Sequence, residues 1–404
     1  MVFNLAVSVL ALAALLPGLY SSVQKVFVIY NNAPERLSSI NNFKSYEIKF
    51  ADTIRNCEDG LLVESQGLAL LSCDVGRESY NTVMNIFLPG PVPGAEIYAY
   101  NYNDASLPDS KALKRFEILG YEPGVDFHTL GLAYDEKTST LFVANHRTDG
   151  PTVELFKLDL VAFKAKHFRT IRHPLLHAPN AIALINNHEL LITNDHYFKA
   201  GDYRILSMLE TYLGLPLASV VHVDISSLLE DPAADVKAEI VARVPFANGI
   251  ELFNETTVAV ASTSGACVYF YSIMKPEQGS TSPPVLAYKS LVKLPYFVDN
   301  VQISKDGALY AAGHPHPPSL DKYSATRHEC NSYTDITTAD PSVQEKCKTT
   351  VGPSWVSRWT EEGGVEHLYT GIEYPTSATA AFDSKRKVGI VTGLYAKGIL
   401  VWRE

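Results

Sequence analysis

Alternating apolar and polar positions recur along the chain in paired segments, and each pair predicts a β-hairpin. Every copy has an apolar alternating strand and, in five of the six, a turn rich in Asn, Asp, Glu and Lys and a second strand. Period-two alternation bounded by such turn residues is typical of antiparallel strands. The copies are QGLALLSCD from Gln66, LGLAYDEKTSTLFVANH from Leu130, NAIALINNHELLITNDH from Asn180, NGIELFNETTVAVASTS from Asn248, DNVQISKDGALYAAGHP from Asp299 and SATAAFDSKRKVGIVTG from Ser377.

Six copies favour an all-β fold, a six-bladed β-propeller, over a β-sandwich. A propeller blade has four strands in about 40–50 residues, and the extra residues between copies can form loops. A sandwich does not give six similar hairpins at this spacing. Because the blades of a propeller surround a central channel, residues at the starts of the innermost strands converge on one axis. The helical candidates are Leu206–Tyr212 with its flank and the N-terminal apolar segment.

Polar residues at three of these strand starts are candidate metal ligands. Asn180, Asn248 and the pair Asp299–Asn300 each precede an apolar run, although Asn and Asp are depleted within strands. Capping of a turn explains any one of them. Their convergence on one axis instead predicts a site for a hard cation such as Ca²⁺, which takes six to eight oxygens from carboxylates, amides and carbonyls.

The composition permits a large buried core and argues against nucleic acid as a partner. The 404 residues are 46% hydrophobic and 19% charged, as is typical of a globular protein. The formal net charge is −10 and no cluster of Lys and Arg stands out. A polyanion-binding face would need such a cluster.

The N-terminal segment predicts passage through the secretory pathway. We expect residues 1–24 to be a signal peptide or signal anchor and residues 25–404 to form a single propeller domain. The apolar run Leu5–Leu16 has the length of a signal core and is short for a membrane span. No basic residue precedes it, so a retained anchor and membrane association through this segment stay open, with the protein secreted or held in the endoplasmic reticulum or cell-surface membrane. The sequon at Asn254, between two strand-like runs, predicts glycosylation on a surface turn.

Five cysteines fit that compartment, where disulfides persist. Cys330 and Cys347 bracket a polar segment and predict a long loop stapled at its base. Cys57 and Cys73 lie where they can pair across neighbouring strands, and Cys267 in an apolar string is expected to be a buried free thiol. The sequence alone does not fix the connectivity.

Several strings resemble the paraoxonase/arylesterase family of calcium-dependent lactonases, which are six-bladed propellers. The resemblance runs from about Asn56 to the C-terminus and is diluted between Asp74 and Tyr121. The most specific match is TNDHYF at 193–198, supported by VELFKL at 153–158, RTIRHPLL at 169–176, YLGL at 212–215, FANGI at 246–250 and VDN at 298–300. The resemblance implies hydrolysis of small lactones and aryl esters, with the metal polarising the carbonyl and stabilising its oxyanion.

The resemblance also implies two calcium sites, of which one is complete. The ligands it implies for the catalytic ion are Glu58, Asn180, Asn248, Asp299 and Asn300. A second, structural ion would use Asp59 and the backbone carbonyl of Leu132. The remaining position of that second site is Ala181, so the second ion is weakened or lost.

The histidines that would assist catalysis match the family only in part. The family pairs a His before a glycine of the second blade with a His in the following strand. The first position is Leu130 here, whereas His146 keeps the second. His128 would share a face with Leu130 in an extended segment and is a substitute base. His196 in TNDHYF is expected to line the mouth of the channel, and His314 at a blade end is a further candidate.

Other departures leave further interpretations open. The family's ring-closing C-terminal cysteine is absent from the tail LVWRE, so Cys73 becomes the expected partner of Cys57. Leu130, Ala181 and the N-terminal apolar run fit a catalytically silent, membrane-anchored propeller that serves as an assembly factor or chaperone in the endoplasmic reticulum. A gluconolactonase-like enzyme with a transition metal has a similar ligand set, but TNDHYF and FANGI fit paraoxonases better.

Overall fold

The structure, a computed structural model, describes residues 23–121, 126–275 and 282–404. The predicted signal or anchor run lies outside these residues. The described chain begins with helix α1 (residues 23–31). Two short strands follow, β1 (Ile40–Asn41) and β2 (Ser45–Lys49).

In the described residues, six sheets of four or five strands form the blades of a propeller, as the hairpin pattern predicted. The innermost strand of each blade contacts the innermost strands of both neighbouring blades, which closes the ring. Blade 1 comprises β3 (Cys57–Val63), β4 (Leu68–Cys73), β7 (Glu96–Asn101) and β8 (Leu113–Arg115). Blade 2 comprises β10 (Thr129–Asp135), β11 (Thr140–Asn145), β12 (Thr152–Asp159), β13 (Lys164–Ile171) and the parallel edge strand β9 (Glu117–Leu119). Blade 3 comprises β14 (Pro179–Leu184), β15 (Glu189–Asn194), β16 (Ser219–Asp224) and β17 (Lys237–Arg243). Blade 4 comprises β18 (Ala247–Asn254), β19 (Thr257–Ser262), β20 (Cys267–Met274) and β21 (Val285–Lys293). Blade 5 comprises β22 (Phe297–Ile303), β23 (Leu309–His314), β24 (Ser354–Thr360), β25 (Gly364–Gly371) and β1. Blade 6 comprises β26 (Ser377–Asp383), β27 (Val388–Gly393), β28 (Ile399–Arg403) and β2.

The second strand of each blade is buried along nearly its whole length. These strands consist largely of small and β-branched residues, as in TVAVAS of β19. Such residues fit a pleated surface that is covered on both faces. Full burial of one Val or Leu side chain is worth about 1.5–3 kcal/mol, so the stacked blades supply most of the core.

The N-terminal strands close the ring from outside. β2 pairs antiparallel with β28, from Ser45 opposite Arg403 to Lys49 opposite Ile399. Between β1 and β2, the ring of Phe43 stacks on Trp402 with centroids 4.7 Å apart. The first and last strands of the propeller are therefore held together by hydrogen bonds and aromatic packing.

The loops that follow the second strands of blades 1, 3 and 5 carry insertions, and all three reach the face where the innermost strands begin. These insertions are a 3₁₀ turn (Val75–Glu78) with the hairpin β5 (Tyr80–Asn81) and β6 (Ile86–Phe87); α3 (Ala200–Leu213); and α5 (Pro317–Cys330), a 3₁₀ turn (Ile336–Thr338) and α6 (Pro341–Thr349). Two shorter helices, α2 (Asp109–Ala112) and α4 (Ser226–Glu230), lie in other connections. In the described ranges, none of the helices combines the length and apolar character needed to cross a bilayer.

Helix α3 confirms the helical prediction around Leu206–Tyr212, but the segment between the stapled cysteines differs from the predicted loop. That segment follows directly after α5 and holds the 3₁₀ turn and most of α6, which begins with a proline in its first turn. Proline is favoured at the first helical position, and the Gln, Glu and Lys residues that follow are good helix formers.

Candidate active site at the mouth of the channel

A cavity of about 590 Å³ opens on the face that carries the three insertions. Four of the five predicted ligands line it, namely Glu58, Asn180, Asn248 and Asp299. Its walls come from α1, α3, α5 and the hairpin β5–β6, and they are rich in apolar side chains. A volume of this size suits a small organic ligand.

The predicted ligands lie where the innermost strands are bulged. The ladder with the second strand shifts register between Cys57 and Asp59, between Pro179 and Ile182, between Ala247 and Ile250, and between Val298 and Val301. Bulges re-aim the side chains beside them and are common next to active sites. The strands also approach each other closely here, because a Cβ on Gly249 would lie 2.6 Å from the Cα of Asn300.

Three of the five predicted ligands carry a buried oxygen that has no hydrogen-bond partner. These atoms are Oε2 of Glu58, Oδ1 of Asn180 and Oδ1 of Asn248. Buried polar atoms are nearly always hydrogen-bonded, so each exception asks for an explanation. Oxygens from carboxylate and amide groups are the ligands that calcium takes, so these residues fit a bound cation.

The carboxylates of this site repel one another. Burial raises the pKa of Glu58 well above its usual value, and the charges of Asp59 and Asp299 raise it further. Asn300 donates from Nδ2 to Oε1 of Glu58 at 2.9 Å. Among the described residues, no three His, Cys, Asp or Glu side chains group as a metal site; the predicted set instead joins two carboxylates to three amides.

The residues predicted for a second calcium ion are already bonded to each other. Asp59 accepts a hydrogen bond from the backbone N–H of Leu132 at 2.7 Å and one from that of Gly60 at 2.8 Å. The hydroxyl of Thr379 lies 2.9 Å from the same carboxylate. Ala181 adds no oxygen at this point. The carboxylate of Asp59 is thus satisfied by protein donors.

His128 and His146 lie outside the cavity lining. His128 is buried and its Nδ1 lies 3.2 Å from Oδ2 of Asp74. His146 lines a neighbouring cavity of about 350 Å³. Its Nε2 donates to the carbonyl of Pro179 at 2.7 Å, and its Nδ1 bonds to Thr82. Burial lowers the pKa of His146, and both of its ring nitrogens have partners in the protein.

His196, the histidine of TNDHYF, is among the residues that line the cavity. Its Nδ1 lies 2.7 Å from Oδ1 of Asp195, and its Nε2 lies 2.7 Å from the hydroxyl of Thr211 on α3. The ring also packs on Phe246 at 4.3 Å between centroids. His196 is therefore held in one orientation by polar contacts on both nitrogens.

A sequence model of the arylesterase family matches residues 96–351, which is more than half of the chain. The chain belongs to the arylesterase family. The matched region extends from β7 of blade 1 to the helical insertion of blade 5 and contains four of the five predicted calcium ligands. Members of this family are ester-hydrolysing enzymes.

Named relatives in the arylesterase family support the same assignment. The serum paraoxonase/lactonase 3 of Mus musculus is 27% identical over 296 residues, which cover 72% of this chain and 76% of the relative. The serum paraoxonase/arylesterase 1 of Homo sapiens is 26% identical over 332 residues, covering 77% and 82%. The solved structure of a candidate gluconolactonase aligns with 91% of this chain and 97% of its own, with a TM-score of 0.50 and 12% identity. That likeness concerns the fold alone.

Two further residues of the cavity, His314 and Arg77, have only a weak signal or none in the sequence of this arylesterase-family chain. Nε2 of His314 lies 3.0 Å from Oδ2 of Asp299, whereas its Nδ1 is buried and has no partner. Arg77, on the 3₁₀ turn of blade 1, lines the same cavity. The position of His314 at the end of a second strand was a signal for its place, but nothing local to Arg77 in the sequence indicates a buried arginine.

The structure contains the two predicted disulfides of this family member. Cys57 pairs with Cys73 across β3 and β4, and Cys330 pairs with Cys347 between α5 and α6. Cys267 is a buried free thiol. Asn254 is the exposed last residue of β18, directly before the turn to β19, and its glycosylation stays a prediction.

Proposed function

We propose that this protein is a calcium-dependent hydrolase of lactones and aryl esters that works at the mouth of the propeller channel. The unpartnered buried oxygens of Glu58, Asn180 and Asn248 carry the proposal. The names of the relatives, paraoxonase, lactonase and arylesterase, support the substrate class. We infer a single ion, since Asp59 is satisfied by protein donors.

Glu58, Asn180, Asn248 and Asp299 would hold the calcium ion, with Asn300 beside them. When bound, the ion would polarise the scissile carbonyl and stabilise negative charge on its oxygen. The cation would also offset the repulsion among the buried carboxylates around Glu58. The apolar walls would bind the organic part of the substrate and limit the access of water.

His314 is the residue that we propose as proton acceptor. Its Nε2 donates to Asp299, which leaves the lone pair of Nδ1 without a partner. That lone pair can take a proton from water as the water oxygen attacks the carbonyl carbon. The C–O bond to the leaving group then breaks, and the proton passes to the departing oxygen. Both nitrogens of His196 already have partners, so His196 would shape the wall.

A combined metal and activity measurement tests this proposal. Purified protein should bind calcium in a calorimetric titration and hydrolyse members of a panel of lactones and phenyl esters, and chelation should abolish hydrolysis. Asn180→Ala should lower calcium affinity at least about tenfold, because it removes an unpartnered oxygen from the cradle. The matched control is Asn187→Ala, at an exposed turn position of the same blade. Calcium binding without hydrolysis of any substrate in the panel would contradict the proposal and favour a non-catalytic role.

The proton acceptor is tested separately. His314→Gln should lower kcat about 10²–10⁴-fold, the usual contribution of a positioned base. His196→Gln should have a smaller effect on kcat and a larger one on KM. The reverse order, measured on the same substrate, would contradict the assignment to His314.

We also propose that residues 1–24 direct the chain into the secretory pathway as a signal or anchor and that residues 25–404 are one domain. The two disulfides support an oxidising compartment. Sequencing the N-terminus of the mature protein tests this point, since cleavage would remove the apolar run and an anchor would retain it.

A further inference from the structure

Arg77 is a charged side chain that is buried inside the cavity. It is 3% exposed and contributes to the lining together with Glu58 and Leu130. It comes from the 3₁₀ turn Val75–Glu78 after the second strand of blade 1. Arginine is almost never fully buried unless it is paired.

The guanidinium of Arg77 has unused donors. One Nη2–H bonds to the carbonyl of Thr129, but Nε has no partner. Within the described residues, no carboxylate lies at ion-pair distance from it. The positive charge of Arg77 lowers the pKa of Glu58 and so opposes part of the rise caused by burial, yet the two groups form no hydrogen bond. A buried charge that lacks a partner is costly, so the cavity is built for a ligand that supplies one.

The turn that carries Arg77 is held on both sides. Oδ2 of Asp74 lies 3.2 Å from Nδ1 of His128. Glu78 accepts from Nε of Arg55 at 2.7 Å and from Nδ2 of Asn331 at 2.8 Å. These contacts fix the turn to blades 1 and 2 and to the end of α5. The guanidinium is therefore positioned before any ligand arrives, which lowers the entropy that binding must overcome.

We propose that Arg77 binds a carboxylate group carried by the substrate, so that this enzyme prefers lactones and esters that bear a free carboxylate. The inference rests on the proposed function and names its substrate class. A guanidinium is a planar fork of N–H donors that matches the two oxygens of a carboxylate. Leu130 and other apolar side chains line the same cavity, and a charge-assisted hydrogen bond is stronger in apolar surroundings than in water.

Substrate pairs that differ only in the carboxylate test the assignment. The three positional isomers of acetoxybenzoate are compared with the corresponding acetoxybenzamides. In Arg77→Met, kcat/KM for at least one acetoxybenzoate should fall about tenfold or more relative to its amide, as expected for loss of a charged hydrogen bond. Arg77→Lys should keep part of the preference. The matched control is Arg204→Met, which changes another arginine of the same cavity. An equal fall for acids and amides would assign Arg77 to the oxyanion of the reaction and overturn the proposal, as would no change.

A binding measurement separates this inference from the proposed activity. Calorimetric titration with benzoate and benzamide is carried out on wild type and Arg77→Met, with calcium and after chelation. Thermal unfolding of both proteins first establishes that they are equally stable. Benzoate affinity should fall at least about tenfold in the variant under both conditions, and benzamide affinity should not change. If no substrate is hydrolysed but benzoate still depends on Arg77, the proposed function fails and the carboxylate site stands. If benzoate binds both proteins equally, the carboxylate site is wrong whatever the activity.

Discussion

Glu58 is a proposed calcium ligand whose negative charge destabilises the folded protein when no cation is bound. It is buried beside Asp59 and close to Asp299, and both raise its pKa. Its remaining oxygen has no donor. Such a group stabilises the fold when it binds a cation and destabilises the fold when it does not. The same residue should therefore have opposite effects on stability in the two states.

Glu58→Gln should stabilise the metal-free protein and destabilise it when calcium is present. Because the folded pKa is raised, the stability contribution of Glu58 in metal-free protein is present below its unfolded pKa near 4.5 and is lost as pH rises. At pH 8 the free energy of unfolding of metal-free Glu58→Gln should thus exceed that of wild type by on the order of 1–3 kcal/mol. At pH 4 the two proteins should differ little in this free energy. In saturating calcium the order should reverse. Parallel urea titrations measure this; the same sign in both states would contradict the ligand role.

The burial of Glu251 predicts a second effect of pH on stability, at a position on β18 three residues after Asn248. Burial raises its pKa to about 7, and the charge of Asp59 adds to this. Stability from neutral Glu251 is complete below about pH 4.5 and is lost as pH rises through about 7. In Glu251→Gln, the fall in the free energy of unfolding between about pH 4.5 and pH 7 should therefore be smaller than in wild type by about 1–2 kcal/mol. Urea unfolding at several pH values in that range measures this difference. Glu255→Gln, in the exposed turn of the same blade, is the matched control and should leave the profile unchanged.

Residues of the innermost strands were predictable because they break a local rule. Asn180, Asn248 and Asp299 are polar where the strand pattern requires apolar or β-branched side chains, and that conflict is visible in the sequence. Arg77 breaks no local rule, since a short turn after a strand tolerates any charged residue. Its burial follows from the insertions that cover it, and these are set by tertiary packing.

At the scale of elements, the mouth is built by insertions that come from alternate blades. α3 of blade 3 and α5 of blade 5 face the cavity, and α5 contributes Leu320 and Asp321 to its wall. α6 has no buried residue and is tied to α5 by the disulfide Cys330–Cys347. We call α5 and α6 the helical cap; its disulfide lies between the two helices and not within the blades.

Removal of each disulfide should affect a different property. Replacement of Cys330 and Cys347 by serine should destabilise the helical cap by up to about 3 kcal/mol, since the bridge closes a short loop. Hydrogen exchange should rise in residues 331–349 while calcium affinity stays unchanged. Replacement of Cys57 and Cys73 should instead weaken calcium binding, because Glu58 is adjacent to Cys57 on the bulged strand. A loss of calcium binding in the first variant would contradict this separation.

Elements were predictable where alternation was clean and harder where function interrupts it. Five hairpin copies correspond to the first two strands of blades 2 to 6, with innermost strands such as β10 and β18. The first copy, from Gln66, captured only β4, because Glu58 and Asp59 interrupt the apolar pattern of β3. The polar sequence of α6 predicts a loop, because the helix has no apolar face whose period would reveal it.

At the scale of the whole molecule, stability depends on the contact between the two ends of the chain. β2 is the outer strand of the last blade and pairs with β28. Phe43 fixes this strand by packing on Trp402 and, at 5.9 Å, on Tyr369. The sequence repeat predicts the ring of six blades but not the pairing of β2 with β28, because β1 and β2 are too short and polar to resemble the repeat.

Phe43→Ala should loosen the closure. Loss of a buried Phe side chain costs about 3–5 kcal/mol, and the denaturant midpoint should fall accordingly. Limited proteolysis should first cut between residues 32 and 50, which hold β1 and β2, before any cut within β3 to β28. Phe87→Ala, at a Phe that is 45% exposed, is the matched control. A first cut elsewhere in the variant would mean that the N-terminal strand does not hold the ring.

The pairing of β2 with β28 also sets the order of events during synthesis. β2 leaves the ribosome before the strands of blades 1 to 4, and its partner β28 follows every other described strand of the propeller. Until residues 399–403 emerge, the chain has an unpaired strand at one end and an incomplete blade at the other, both open edges that favour aggregation. A variant that lacks residues 399–403 should therefore aggregate more readily than the unaltered sequence, even though the proposed ligand residues and the helices α5 and α6 are all present.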